Sequence, residues 1–115
     1  MKTLMLFLGL LLTSVSMNAQ QSINGIWNTG QDNTTIEINS STGKIHSSNN
    51  EKATIGKLIV KDLNKIDNAY KGKLYIIKKK RWVDVEFVPN GNSLTVTISK
   101  GWQSKTLMWN LVEKL

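Results

Sequence analysis

The residues able to do chemistry are few and scattered. His46 is the single histidine and cysteine is absent. A catalytic triad needs a base beside a nucleophile, and a transition-metal site needs several His or Cys ligands, so neither can be assembled here. Beside Ile45 on a hairpin arm, His46 reads as an exposed strand residue. Asp84 and Glu86 stand two apart and so share one face of a strand. Such a pair does acid–base work only where burial lifts the pKa of one carboxyl. Val83, Val85 and Phe87 claim the dry face of that strand, which leaves the two acids on the wet face with lysines as partners. Asp62 and Asp67 lack the spacing of a calcium loop. With no nucleophile–base pair, ligand cluster or phosphate-binding glycine loop, the chain is expected not to be an enzyme, and no metal or cofactor is expected.

The remaining chemistry is that of surfaces. Lys78, Lys79, Lys80, Arg81 and Trp82 are consecutive. Four cations beside an indole suit an anionic lipid or glycan, because Trp favours the headgroup layer and basic residues are attracted to charged surfaces. The same run also suits a solubilising turn that blocks edge-to-edge strand pairing. Trp82 and Trp102 are out of phase with their apolar neighbours, so one or both are expected to face solvent or a cavity mouth, where an aromatic stacks on a sugar or an apolar ligand, or else to form a minor apolar patch such as a dimer contact. With Tyr75 they complete the candidate binding set of Tyr75, Lys78, Lys79, Lys80, Arg81, Trp82 and Trp102. Trp27 and Trp109 are expected in the core, brought together by closure of a barrel.

The elements that must position these residues are strands. Thr34, Ile36 and Ile38 alternate with polar residues, as do Val83, Val85 and Phe87, then Leu94, Val96 and Ile98, and Leu107, Trp109 and Leu111 share one phase. Period two with one dry face is the pattern of an antiparallel sheet or barrel wall. Turn residues separate the runs at 40–43, 78–80, 89–92 and 100–101, and Asn90-Gly91 offers the positive φ of a tight hairpin. Residues 49–69 resist the pattern. Ile59, Leu63 and Ile66 are spaced four and three, which allows a short helix, but the β-branched residues favour a strand at 57–62 followed by a loop. The sum is an all-β chain of about 7–8 short strands in an up-and-down meander that closes as a small barrel.

The N-terminus reads as a cleavable secretory signal. Lys2 is the positive region, residues 4–12 are apolar, residues 13–18 are small and polar, and Ala19 is the expected last residue before cleavage. The apolar run is short of the roughly 20 residues a spanning helix needs, and no other stretch approaches that length. The expected organisation is a signal at 1–19 and one barrel domain at 20–115, a soluble product in the periplasm or outside the cell. Without Cys no lipid can be attached at a processed N-terminus. Lys2 is one of the 15 basic residues, so its loss leaves 14 against 8 acids, a net charge of +6. Such a charge attracts anionic partners. Thirteen of the 14 are lysine, whereas base-reading sites lean on the planar fork of arginine, so nucleic acid is not the expected partner.

Gly25-Ile26-Trp27 opens the first strand, and Thr34-Thr35-Ile36-Glu37-Ile38, Ile55-Gly56, Tyr70-x-Gly72-Lys73-Leu74-Tyr75, Asn92-x-Leu94-x-Val96, Gly101-Trp102 and Thr106-Leu107-x-Trp109 follow in order. That series resembles a family of small exported bacterial proteins of unknown function with lipocalin-like barrels. The resemblance covers Gly25 to about Val112. It implies that Trp27 plugs one end of the barrel, that Gly25 lets the chain pass close by, and that Trp109 is structural; it implies no catalytic residue. The chain departs from the family at 47–52, where acidic and Asn-Pro residues are common, and at Asn110, where a basic residue is common. Two kinds of role fit. One is a lipocalin-like binding protein that holds a small apolar or amphipathic ligand or presents its basic aromatic tip to an envelope component. The other is a non-enzymatic interaction or inhibitor protein that acts through its outer surface around a filled core. Cavity volume separates them.

Overall fold

A computed structural model describes residues 21–115. The expected signal at 1–19 and its cleavage point near Ala19 lie outside the described residues. Eight strands follow one another: β1 (Gly25–Asn28), β2 (Thr35–Asn39), β3 (Thr42–Ser47), β4 (Leu58–Ile66), β5 (Ala69–Ile76), β6 (Arg81–Asn90), β7 (Ser93–Lys100) and β8 (Gln103–Lys114). Each pairs antiparallel with the next, and β1 pairs with β8 to close the barrel. This is the all-β, up-and-down barrel that the alternating sequence implies, and it is consistent with the lipocalin-like fold that the resemblance implies. Closure removes both exposed sheet edges.

Register carries the alternation through the wall. Phe87 lies opposite Val96, and Val96 opposite Leu107; Val85 lies opposite Ile98, and Leu94 opposite Trp109. Each row therefore sends its apolar side chains to the same side, and they meet in one core with Ile36, Ile38, Ile45, Val60 and Leu74. Trp27 and Trp109 are both buried, as expected. Phe87 and Trp109 pack as a tilted pair with centroids 5.4 Å apart, a contact worth about 0.5–1.5 kcal/mol beyond the area it hides.

Two details differ from the expected layout. The strand expected at 57–62 continues to Ile66, and no loop follows it beyond residues 67–68. A bulge makes the difference. Pairing with β5 skips from Lys61 to Asn64, and Asp62 takes a φ of 56°. The extra residue shifts the phase, so Val60 and Leu63, three apart, are both buried. A bulge thus produces the spacing of a helix without one. Ile66, which completed the helical reading, is 48% exposed. The second difference is the 89–92 turn. Pro89 and Asn90 belong to β6, Asn90 pairs with Ser93, and the loop is Gly91-Asn92. Two-residue loops also join β2 to β3, β4 to β5 and β7 to β8. In all four the first residue has positive φ: Ser40, Asp67, Gly91 and Gly101. The second residue does not, which is the type II′ pattern favoured by strand twist.

A meander sends alternate turns to opposite ends. The turns at 40–41, 67–68 and 91–92 share one end with residues 21–24 and the C-terminus. Residues 21–24 strap that end shut. Ile23 is 1% exposed, and its carbonyl accepts the indole N–H of Trp27 at 3.0 Å. The Gln21 side chain donates to Gly91 O at 2.6 Å and accepts from Gly91 N at 3.1 Å. Tyr70 donates its hydroxyl to Gln21 O, and Ser40 N donates to Asn24 Oδ1. The other end carries residues 29–34, 48–57, 77–80 and 101–102.

The seam between β1 and β8 is tight. A Cβ on Gly25 would lie 2.9 Å from Glu113 O and 3.0 Å from Leu111 Cδ1. Gly25→Ala is therefore expected to cost about 1–3 kcal/mol by forcing the strands apart, read as a lower urea midpoint. Ser40→Gly is expected to raise the midpoint, by about 1 kcal/mol, since an L-residue is disfavoured at positive φ.

Candidate functional site

The candidate residues gather at the end opposite the strap. Residues 77–80 form a compact turn in which Lys79 N and Lys80 N both donate to Ile76 O, at 3.1 and 2.7 Å. Ile76 and Ile77 are half-buried and pack against the core, which anchors the turn from below. Lys78, Lys79, Lys80 and Arg81 are left exposed. The next hairpin on the same end places Gly101 and Trp102 in its two-residue loop, between Lys100 and Gln103. Gly101 takes the first position, with a φ of 62°. Trp102 takes the second and is 91% exposed.

Trp82 and Tyr75 lie lower on the outer wall. They are opposite one another in the β5–β6 register, with ring centroids 5.3 Å apart and planes at 61°. Lysines of the neighbouring segments cap them: Lys61 Nζ is 4.3 Å from the Trp82 centroid, and Lys57 Nζ is 4.7 Å from that of Tyr75. These cation–π contacts occupy ring surface that a sugar would need for stacking. Lys73 forms an ion pair with Asp84 across the same strands. Glu86 lies opposite Lys71, so both acids of the Asp84/Glu86 pair stand on the outer face with lysines beside them. Lys61 faces Lys73 directly in the β4–β5 register, a like-charge pairing that costs roughly 0.2–1 kcal/mol.

Lys100 joins the set although its sequence context does not single it out. Its amine is held below the ordinary lysine value of 10.5, first by a hydrogen bond with the Lys79 side chain, then by the Lys79 charge, with smaller effects from desolvation and Arg81. Arg81, beside the first turn, and Lys100, beside the second, line one recess on the outer wall, so Lys100 extends the four-cation run. Meander parity is the signal that could have found it. Hairpins two strands apart project from the same end, and Lys100 directly precedes the turn that carries Trp102. The acids of this end, Asp32 and Glu51, belong to the other loops, which are tied together by Asn49 N donating to Asp32 O at 2.8 Å.

The side chains of the core meet inside the barrel, with Trp27, Phe87, Ile38, Leu94, Val60 and Val96 fully buried. Two recesses open elsewhere. One, of about 270 Å³, lies at the strapped end beside Gln21, Asn24, Trp27, Leu111 and Lys114. The other, of about 250 Å³, lies on the outer wall beside Lys73, Arg81, Trp82, Asp84, Ser99 and Lys100. Neither is lined by Val85, Phe87, Leu94 or Val96 in the middle of the barrel. The expectation that Trp82 or Trp102 faces solvent or a cavity mouth divides accordingly. Trp102 is in solvent, and Trp82 walls a recess on the outside of the barrel.

His46 is exposed on β3, with Nδ1 3.7 Å from Glu37 Oε1. Asp62 and Asp67 occupy the bulge and a turn at positive φ, a conformation that Asp tolerates better than most residues. Among the described residues no three His, Asp or Glu side chains converge as metal ligands. Among the same residues no helix is long and apolar enough to cross a membrane. Comparison of the chain with protein-family models, curated proteins and solved structures returned no match.

The Lys79–Lys100 repulsion has a pH signature. Folding lowers the proton affinity of Lys100, so the folded chain gains stability relative to the unfolded chain as pH rises through the lowered value toward 10.5. Urea midpoints are expected to climb over that window. Lys79→Gln should flatten the climb, since it removes the charge that disfavours the protonated amine, and added salt should flatten it too, because the groups are exposed.

Proposed function

We propose that this chain is a non-enzymatic binding protein of the exported space that presents its basic end to an anionic envelope component. The observation that carries the reading is the gathering of Lys78, Lys79, Lys80, Arg81 and Lys100 by two separate turns. Like charges held together weaken a fold unless something of opposite charge uses them. The exposed indole of Trp102 stands on one of the same two turns. The two recesses described lie at the strapped end and on the outer wall, and this supports a role for the outer surface over one for the barrel interior, because an interior ligand needs a pocket of a few hundred Å³ lined by apolar side chains.

The reading includes export. Residues 1–19 act as the signal, cleavage falls near Ala19, and the barrel works in the periplasm or outside the cell. It also includes kinship with the small exported lipocalin-like family, supported by the order of glycines and aromatics from Gly25 to Trp109 and by the closed eight-stranded meander.

Binding to an immobilised acidic polysaccharide and to anionic vesicles tests the reading, with salt as the variable. The protein should be retained on at least one of the two and released as ionic strength rises. A variant with Lys78, Lys79 and Lys80 all changed to Gln should lose on the order of a hundredfold in affinity if each lysine contributes ~1 kcal/mol. A charge-matched control with Lys44, Lys71 and Lys114 changed to Gln, all away from the basic end, should lose much less. Retention on neither matrix, or equal losses in the two variants, would reject it.

A further inference from the structure

The two basic turns differ from a glycan-binding cleft in shape. A sugar ring is held by an aromatic face with polar groups converging around it. Here the faces of Tyr75 and Trp82 are met by Lys57 and Lys61. Trp102 has a free indole, but it stands at the tip of a two-residue loop and is 91% exposed, with no facing wall. A convex aromatic tip makes one-sided contact with a soluble ring. It makes contact all round when it enters a headgroup layer, the environment that Trp favours.

The cations beside it fit the same surface. Lys79 and Lys100 stand on neighbouring projections of one barrel end, close enough for each charge to disfavour the other. A phosphate oxygen between them would accept from both and allow both to stay charged, and such charge-assisted bonds are roughly twice as strong as neutral ones. Arg81 stands at the start of β6 next to that pair and lines the recess that Lys100 also lines. Its planar fork suits a second phosphate contact. The opposite half of the rim balances Asp32 and Glu51 against Lys52 and Lys57, so it carries no net charge to draw it to an anionic layer. The charge asymmetry therefore tilts the barrel toward the β5–β8 side.

We infer that the β5–β6 and β7–β8 turns form one docking site for an anionic phospholipid surface, with Trp102 entering the headgroup layer and Lys79, Arg81 and Lys100 holding lipid phosphates. The inference rests on the proposed role of the basic end and names its partner. The contact is peripheral: the barrel stays outside the bilayer and touches it by one end.

Quenching by brominated lipid, measured with sedimentation on phosphatidylcholine–phosphatidylglycerol vesicles, tests it. The protein should sediment with these vesicles and not with pure phosphatidylcholine, and its tryptophan emission should be quenched. Trp102→Phe should keep the near-ultraviolet circular dichroism of the fold and lose most of the quenching, because Trp27 and Trp109 are buried and Trp82 lies on the wall. Lys79→Gln and Lys100→Gln should each weaken vesicle binding about fivefold, the equivalent of ~1 kcal/mol per basic residue near such a surface. Binding to the acidic polysaccharide without binding to the vesicles would overturn the lipid inference and leave the role of the basic end standing. Vesicle binding with quenching intact in Trp102→Phe would overturn the end-on geometry. Binding to neither probe would remove both.

Discussion

Everything at the basic end depends on the short seam where β1 meets β8. Strand β1 has four residues, yet it pairs on both sides and turns a meander into a barrel. Gly25 has no Cβ to hold Leu111 and the Glu113 backbone away, and Trp27 fills the core just inside the seam while its indole N–H satisfies the Ile23 carbonyl. A hydrogen bond made in the dry interior leaves no buried polar group unpaired, so the large side chain can sit there without penalty. If this seam opened, β1 and β8 would become edges, and Ile23 and Trp27 would lose the cover that keeps them buried. The alternating projection of turns, which places Lys78, Lys79, Lys80, Arg81 and Lys100 at one end, is a property of the intact meander.

The barrel also separates stability from binding. Its core is assembled from Ile, Val, Leu, Phe and Trp whose side chains follow period two, and among the described residues no polar or charged side chain is buried in it. The strain is kept on the outside. Lys61 opposes Lys73, and the Lys79 charge disfavours that of Lys100. The Lys73–Asp84 ion pair offsets part of this, but it is exposed and screened by salt, so its contribution is small. A rigid apolar interior tolerates such crowding because the unfavourable contacts end in solvent, where the lysine stems are free to adjust.

Much of this architecture was legible in the residues themselves. The phases of Val83, Val85 and Phe87, of Leu94, Val96 and Ile98, and of Trp109 fixed which face of each strand is dry, because a period of two admits only two choices. The stretch around Leu63 was less readable. A bulge shifts phase by one residue, and its trace in the sequence is the same three-residue step a helix makes. The Asn90-Gly91 pair was readable as a turn but not in its register, since Pro89 remained in the strand and moved the loop on by one position. The candidate site was legible where it is consecutive, as in Lys78, Lys79, Lys80 and Arg81, and illegible where it is assembled. Lys57 and Lys61 reach their aromatic partners across strands, and Lys100 comes to Lys79 only because two hairpins leave the barrel from the same rim.

That parity has a practical side. Residues 21–24 and the last residues of β8 leave the barrel at the rim farthest from Trp102. A fluorophore, affinity handle or surface linkage attached beside residues 21–24 or on the last residues of β8 would hold the molecule by its base, with the lysine turns facing away from the support. The fold supplies its own orientation: an array of such barrels on a solid surface would display one chemical face to the solution above it.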